Sequence, residues 1–291
     1  MHQYLNAIGF RNVKCNRQLN EILSDVEHEP TRQDVMAQDE DMDYCEFRKA
    51  YAKGLGIALF GDMDINECFK QQYYFPYFEG SGVTSYADVV VEQRMDRDAF
   101  VGICEDSKVE ISLIFHLQNT IEYIKEKQRT GSEVLYKSVT LSALCNTGTI
   151  LLPVKKNKQQ QQVQKQESHN RSILMSAAKA GDQAAIESLT LDDIDTYSKV
   201  SQRLVKEDVL SIVDTYIMPN GIECDQYSIM GTILNIKLME NACTKEPLYI
   251  LCLEVNELQF DVCVPARNVN GEPKVGRRFK GNIWLQGRLN F

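Results

Sequence analysis

The stretch YSIMGTILNIKLM, Tyr227 to Met239, decides how the chain is read. Its apolar and β-branched residues mark a strand, and an unusually long one. Gly231 lies inside it, where a glycine signals a bulge or a sharp bend. Downstream, LYILCLEV (248–255) and LQFDVCVP (258–265) meet at Asn256-Glu257, a two-residue hairpin loop. FKGNIWLQGRL (279–289) reads as a further strand, and VLSIVDTYIM (209–218) as one ahead of them. Five strands with a long, glycine-bent member suit a small barrel of the OB type. A flat antiparallel sheet packed on helices is the alternative. Residues 171–204 supply the helices, with a break at Gly181-Asp182.

Working outward from there, KKNKQQQQVQKQESHN (155–170) holds almost nothing apolar. Such a segment buries too little surface to offset the entropy of ordering. The reading is three parts: an N-terminal α+β domain (1–155), a Gln-rich flexible linker (156–170), and a C-terminal domain (171–291) of a helical hairpin followed by antiparallel strands. In the first part, Leu19, Ile22, Leu23 and Val26 have helical spacing, with Asn16 as N-cap. The acidic run Glu27 to Glu46 reads as a solvated loop or helix start. Short strands follow in LGIALF (55–60), CFKQQYYFPYF (68–78), ADVVVEQRM (87–95), DAFVGIC (98–104) and KVEISLIFHL (108–117). A helix over 118–128 comes next, then VLYKSVTLSALC and TILLPV around a tight turn at Asn146-Thr147-Gly148. Successive strands on short connections imply antiparallel sheets, and the added helices an α+β class.

The chain has 291 residues and a net charge of −9, which argues against a general polyanion binder. No secretory leader opens it, and no apolar run is long enough to span a bilayer, so no membrane partner is expected. Nine scattered Cys with no CxxC point to reduced thiols and a cytoplasmic setting.

Local motifs for catalysis fail one by one. GEPKVGRR (271–278) lacks the Lys-Ser/Thr pair of a phosphate loop. GLGIALFG (54–61) carries Leu59 at the third glycine of a dinucleotide fingerprint. DMDIN (62–66) is followed by Glu67 where a calcium loop needs glycine. The four His stand at no zinc spacing with Cys, and His116 reads as a core residue. No catalytic, cofactor-binding or metal residue is therefore assigned, and no cofactor. The one positive lead is the last thirty residues, net +5 in an acidic protein. There Lys274, Arg277, Arg278, Lys280 and Trp284 form a speculative binding surface, through which single-stranded nucleic acid could be held. The competing reading pairs these cations internally and buries Trp284. QQYYFPYF (71–78) is the other concentration of aromatics, and Pro76 marks an edge strand.

MHQYLNAIGF, VEISLIFHLQN, EDVLSIVDTYIMPNGIECDQYSIMGTI and GEPKVGRRFKGNIWLQG together resemble one uncharacterised bacterial family, a domain-of-unknown-function group from anaerobic low-GC Gram-positive bacteria. The resemblance implies a cytoplasmic bacterial protein and carries over no activity, ligand or residue role. The functional expectation is a non-catalytic binding or adaptor protein with a protein partner. Nucleic-acid binding through the C-terminal strands and a hydrolase without a local motif are the alternatives.

Overall fold

The computed structural model describes residues 2–37, 42–94, 99–109, 111–131, 134–154, 166, 170–171, 173–204 and 209–291. It is an α+β fold dominated by strands. Helix α1 (Asn16–His28) buries Leu19, Leu23 and Val26, the stripe its spacing predicts. Four strands follow as an antiparallel meander: β1 (Arg32–Ala37), β2 (Met42–Ala52), β3 (Leu55–Asp64) and β4 (Phe69–Phe78). The acidic run expected as loop or helix thus contains β1 and the start of β2, paired from Arg32↔Arg48 to Ala37↔Asp43. β4 is an edge strand, as Pro76 requires.

The second sheet begins with β5 (Val89–Gln93), β6 (Phe100–Cys104) and β7 (Leu113–Leu117), then helix α2 (Thr120–Thr130) and β8 (Ser138–Leu151). Helix α3 (Gln183–Leu204) starts after Gly181, and Asp182 accepts the backbone N–H groups of Ala184 and Ala185 as its cap. The stretch expected as strand at 209–218 divides into a helical turn, α4 (Val209–Ile212), and β9 (Tyr216–Pro219). β10 (Gln226–Glu240), β11 (Pro247–Val255), β12 (Leu258–Pro265), β13 (Val269–Asn270) and β14 (Arg278–Asn290) complete the chain.

Five of these strands close a ring. From Gln226 to Thr232, β10 pairs with β14; from Thr232 to Glu240 it pairs with β11. The bend between the two partners falls at Gly231, where a Cβ would lie 2.5 Å from Val255 and 2.9 Å from the Glu254 carbonyl. β11 pairs with β12, β12 runs parallel to β8, and β8 is antiparallel to β14. Read from β10, the order is that of an OB-type barrel whose last strand comes from ahead of the others in the chain. The barrel was legible; its fifth stave was not, because that stave is β8 and not the stretch at 209–218.

This pairing corrects the expected partition. The chain does build two sheets, but they do not divide at 156–170. β8 is a barrel stave and β7 pairs with β14, so strands from ahead of that stretch complete the second sheet. The linker itself lies outside the described residues, apart from 166 and 170. The expected turn at Asn146-Thr147-Gly148 likewise lies inside β8, which pairs with β14 from Ser138 to Leu151 with a shift of register, a bulge, at Asn146 and Thr147.

Alternation explains the near-continuous apolar runs. Ala143, Cys145, Phe260, Val262, Ile283 and Leu285 belong to one core cluster, filled from the barrel and from β7. Their neighbours Leu144, Cys263 and Trp284 belong to the other, shared with α1 and the four-stranded sheet. Successive side chains point to opposite faces, so these staves are apolar on both. The four-stranded sheet therefore packs on the outside of the barrel, with Trp284 between them.

Candidate functional site

The five C-terminal residues do not assemble into one exposed face. Lys274 is exposed and pairs with Glu272 at 2.8 Å, and Arg277 donates to the Glu272 carbonyl at 2.7 Å. Lys280 is half-buried. Arg278 is buried, and its guanidinium donates to the carbonyls of Leu152, Leu210 and Val213 at 2.7–2.9 Å. It clamps the end of α4 to the barrel, where a helix terminus presents unpaired carbonyls. Trp284 is 5% exposed.

Trp284 nonetheless leads to a site. It lies in the wall of a cleft of about 270 Å³ where the four-stranded sheet and the N-terminal segment meet the barrel. Its indole stacks with the Tyr4 ring at 5.6 Å and lies 4.6 Å from the His2 ring and 5.1 Å from that of His116. Phe75 meets His116 edge-on at 4.2 Å. Tyr73 stacks on Phe60 at 4.6 Å, and Tyr74 accepts the His2 backbone N–H at 2.8 Å. Aromatic rings from the N-terminus, β4, β7 and β14 thus converge, each held by a neighbour.

One end of the cleft is polar. The buried Asp225, just ahead of β10, accepts the Trp284 indole N–H at 2.9 Å. Arg94, following β5, donates to the same Asp225 oxygen at 3.3 Å and to Glu223 at 2.8 Å. Burial pushes the Asp225 carboxyl above its ordinary range, against the pull of the indole and of Arg94. The Asp225 carbonyl also accepts the Leu285 N–H at 2.9 Å, which fixes the turn against β14. Among the described residues no Ser, Thr, Cys or Lys lines this space. Among the described residues no group of three or more His, Cys, Asp or Glu is placed to hold a metal.

Sequence reasoning found Trp284 and the aromatics of β4 but missed His2, Tyr4, Arg94, Glu223 and Asp225. These come from distant segments and belong to no local motif. The only hint lay in composition: a single tryptophan and one dense aromatic run are the pieces a stacking site would use.

The fold and cleft define an α+β protein with an OB-type barrel and an aromatic site at the barrel's junction with a second sheet. The chain belongs to the family described as "Domain of unknown function, E. rectale Gene description (DUF3881)", whose model matches residues 5–287. No curated protein and no solved structure matches it. No helix among the described residues is long and apolar enough to cross a membrane.

Proposed function

We propose that this chain is a non-catalytic binding protein whose ligand, a small planar molecule, occupies the aromatic cleft. The observation that carries the reading is the convergence of six segments on one space, lined by aromatic rings and ended by a buried carboxylate. Pockets for small ligands are mostly apolar with a few placed polar groups, and commonly span about 300–1,000 Å³. At about 270 Å³ this cleft falls just below that range and suits a correspondingly small guest. Its lining offers surfaces for holding a molecule and an ion-paired acid for orienting it. A cytoplasmic setting fits the nine free cysteines, of which Cys15, Cys68, Cys224 and Cys243 are exposed.

Trp284 is the only tryptophan, so its emission reports on the cleft alone. Titration of the full chain with benzamide, adenine and benzamidinium is expected to change that emission saturably for at least one probe. Tyr74→Ala should weaken the effect. No response to any of the three overturns the reading.

Nucleic-acid binding remains the second reading because the barrel is of a type that binds oligonucleotides. Its proposed contacts at Arg278 and Trp284 are spent internally, and the cleft ends in two carboxylates. The chain should therefore leave a labelled single strand unshifted at low salt, and a shift would favour this second reading.

A further inference from the structure

We propose that the cleft selects an organic cation carrying a flat π system, such as an amidinium or a protonated amino-heterocycle, rather than a neutral or anionic ligand. This rests on the reading of the cleft as the binding site and names the chemistry it takes.

Two features point the same way. The first is charge. Among the described residues, the carboxylates, guanidinium and imidazoles facing the space are Asp225, Glu223, Arg94, His2 and His116. Within that set, with both imidazoles neutral, two carboxylates meet one guanidinium and the balance is negative. Arg94 does not divide itself evenly, being 2.8 Å from the outer Glu223 and 3.3 Å from the inner Asp225. The buried acid is thus satisfied chiefly by a neutral indole N–H. A buried carboxylate is costly, and a guest that brings a second cation closer than the 3.3 Å of Arg94 lowers that cost. An anion would meet the surplus charge, and the protein's net −9 would oppose its approach.

The second feature is the wall. Ring faces carry the negative part of the aromatic quadrupole and attract cations, most strongly when water is excluded. Tyr73 and Tyr74 are half-buried, with surface left for contact, while Tyr4, Phe75 and Trp284 behind them are buried. A flat cation can lay its π face on these rings and turn its N–H edge to Asp225. A compact hydrated cation cannot do both. Paired N–H donors of an amidinium also match the two oxygens of a carboxylate.

The test compares benzamidinium with its neutral analogue benzamide and with benzoate, using the full chain and Trp284 emission. Benzamidinium should bind at least about tenfold more tightly than either, a difference of about 1.4 kcal/mol. Asp225→Asn should bring benzamidinium close to benzamide, with unfolding by urea confirming that the variant is folded. Because Asp225 is buried, the rim variant Glu223→Gln provides a second check and should weaken benzamidinium by about threefold, since an exposed charge contributes less. Benzamide or benzoate binding as well as benzamidinium would overturn cation selection while leaving the binding reading standing. Equal benzamidinium affinity in both variants would do the same. Silence from all probes, adenine included, would remove both.

Discussion

Two arginines in this molecule bridge a buried acid to a more open one, and they end in different roles. Arg48 of β2 pairs with Glu46 and reaches Glu79 at 3.1 Å. Arg94 pairs with Asp225 at 3.3 Å and Glu223 at 2.8 Å. The inner acids match, at 3% side-chain exposure each. The surroundings do not. Arg48 is packed over the Tyr77 ring and donates to the Gln118 carbonyl at 2.5 Å. Gln118 in turn donates to Phe78 and Gln286, so the chain of bonds runs from the four-stranded sheet into β14 of the barrel. Every part of that guanidinium is used inside the fold. Arg94 borders the cleft, and its inner acid leans on an indole. The same charge pattern is a rivet in one place and the wall of a cleft in the other. What surrounds a buried ion pair, not its presence, decides whether it holds the fold or meets a guest.

The sharpest way to break that comparison is to remove each cation. Arg48→Met takes the buried partner from Glu46, which then faces Asp34 across the β1–β2 pair, and cuts the link to Gln118. Loss of one partner from a buried pair costs about 3–5 kcal/mol, and urea unfolding of the variant should show a deficit of that size. Arg94→Gln should cost less, about 1–2 kcal/mol, because Glu223 is open to water and Asp225 keeps its bond from Trp284. Equal losses at the two sites would mean that Arg94 is also a rivet, and the functional reading of its cleft would lose its electrostatic basis.

How much of this was readable in the residues divides along the same line. The bent strand around Gly231, the hairpin at Asn256-Glu257 and the stripe of α1 depend on local geometry, and local patterns disclosed them. Asn256 and Glu257 both take positive φ, 47° and 65°, as a two-residue hairpin loop demands. The errors lie where distant partners overrule local preference. Asn146-Thr147-Gly148 has the composition of a turn, yet Gly148 is there for closeness: a Cβ would come within 2.1 Å of the Phe279 ring. The acidic run looked solvated because Glu46 has no local reason to be buried. Its reason is Arg48 two residues on, and Arg48's reason is Gln118, seventy residues away. The cleft was invisible for the same cause. Trp284 could be picked out as unusual, but only tertiary structure brings it to Asp225 and Arg94.

The subtlest test of the comparison is its dependence on pH. Burial holds the Asp225 carboxyl above its ordinary value of 3.8, so the folded protein takes up this proton at a higher pH than the unfolded chain does. The sign follows from linkage: the contribution is fully present below 3.8 and is lost as pH rises through the raised folded value. Asp225→Asn has no such proton to lose. Urea unfolding of the two proteins at steps from pH 4 to pH 7 should therefore show the gap between them move in favour of Asp225→Asn as pH rises. A cation in the cleft interacts best with ionised Asp225, so bound benzamidinium should shrink that drift in the parent protein and leave the variant unchanged. If the gap is flat without ligand, Asp225 carries no unmet cost of burial for a cation to relieve, and the electrostatic basis of the cleft reading disappears.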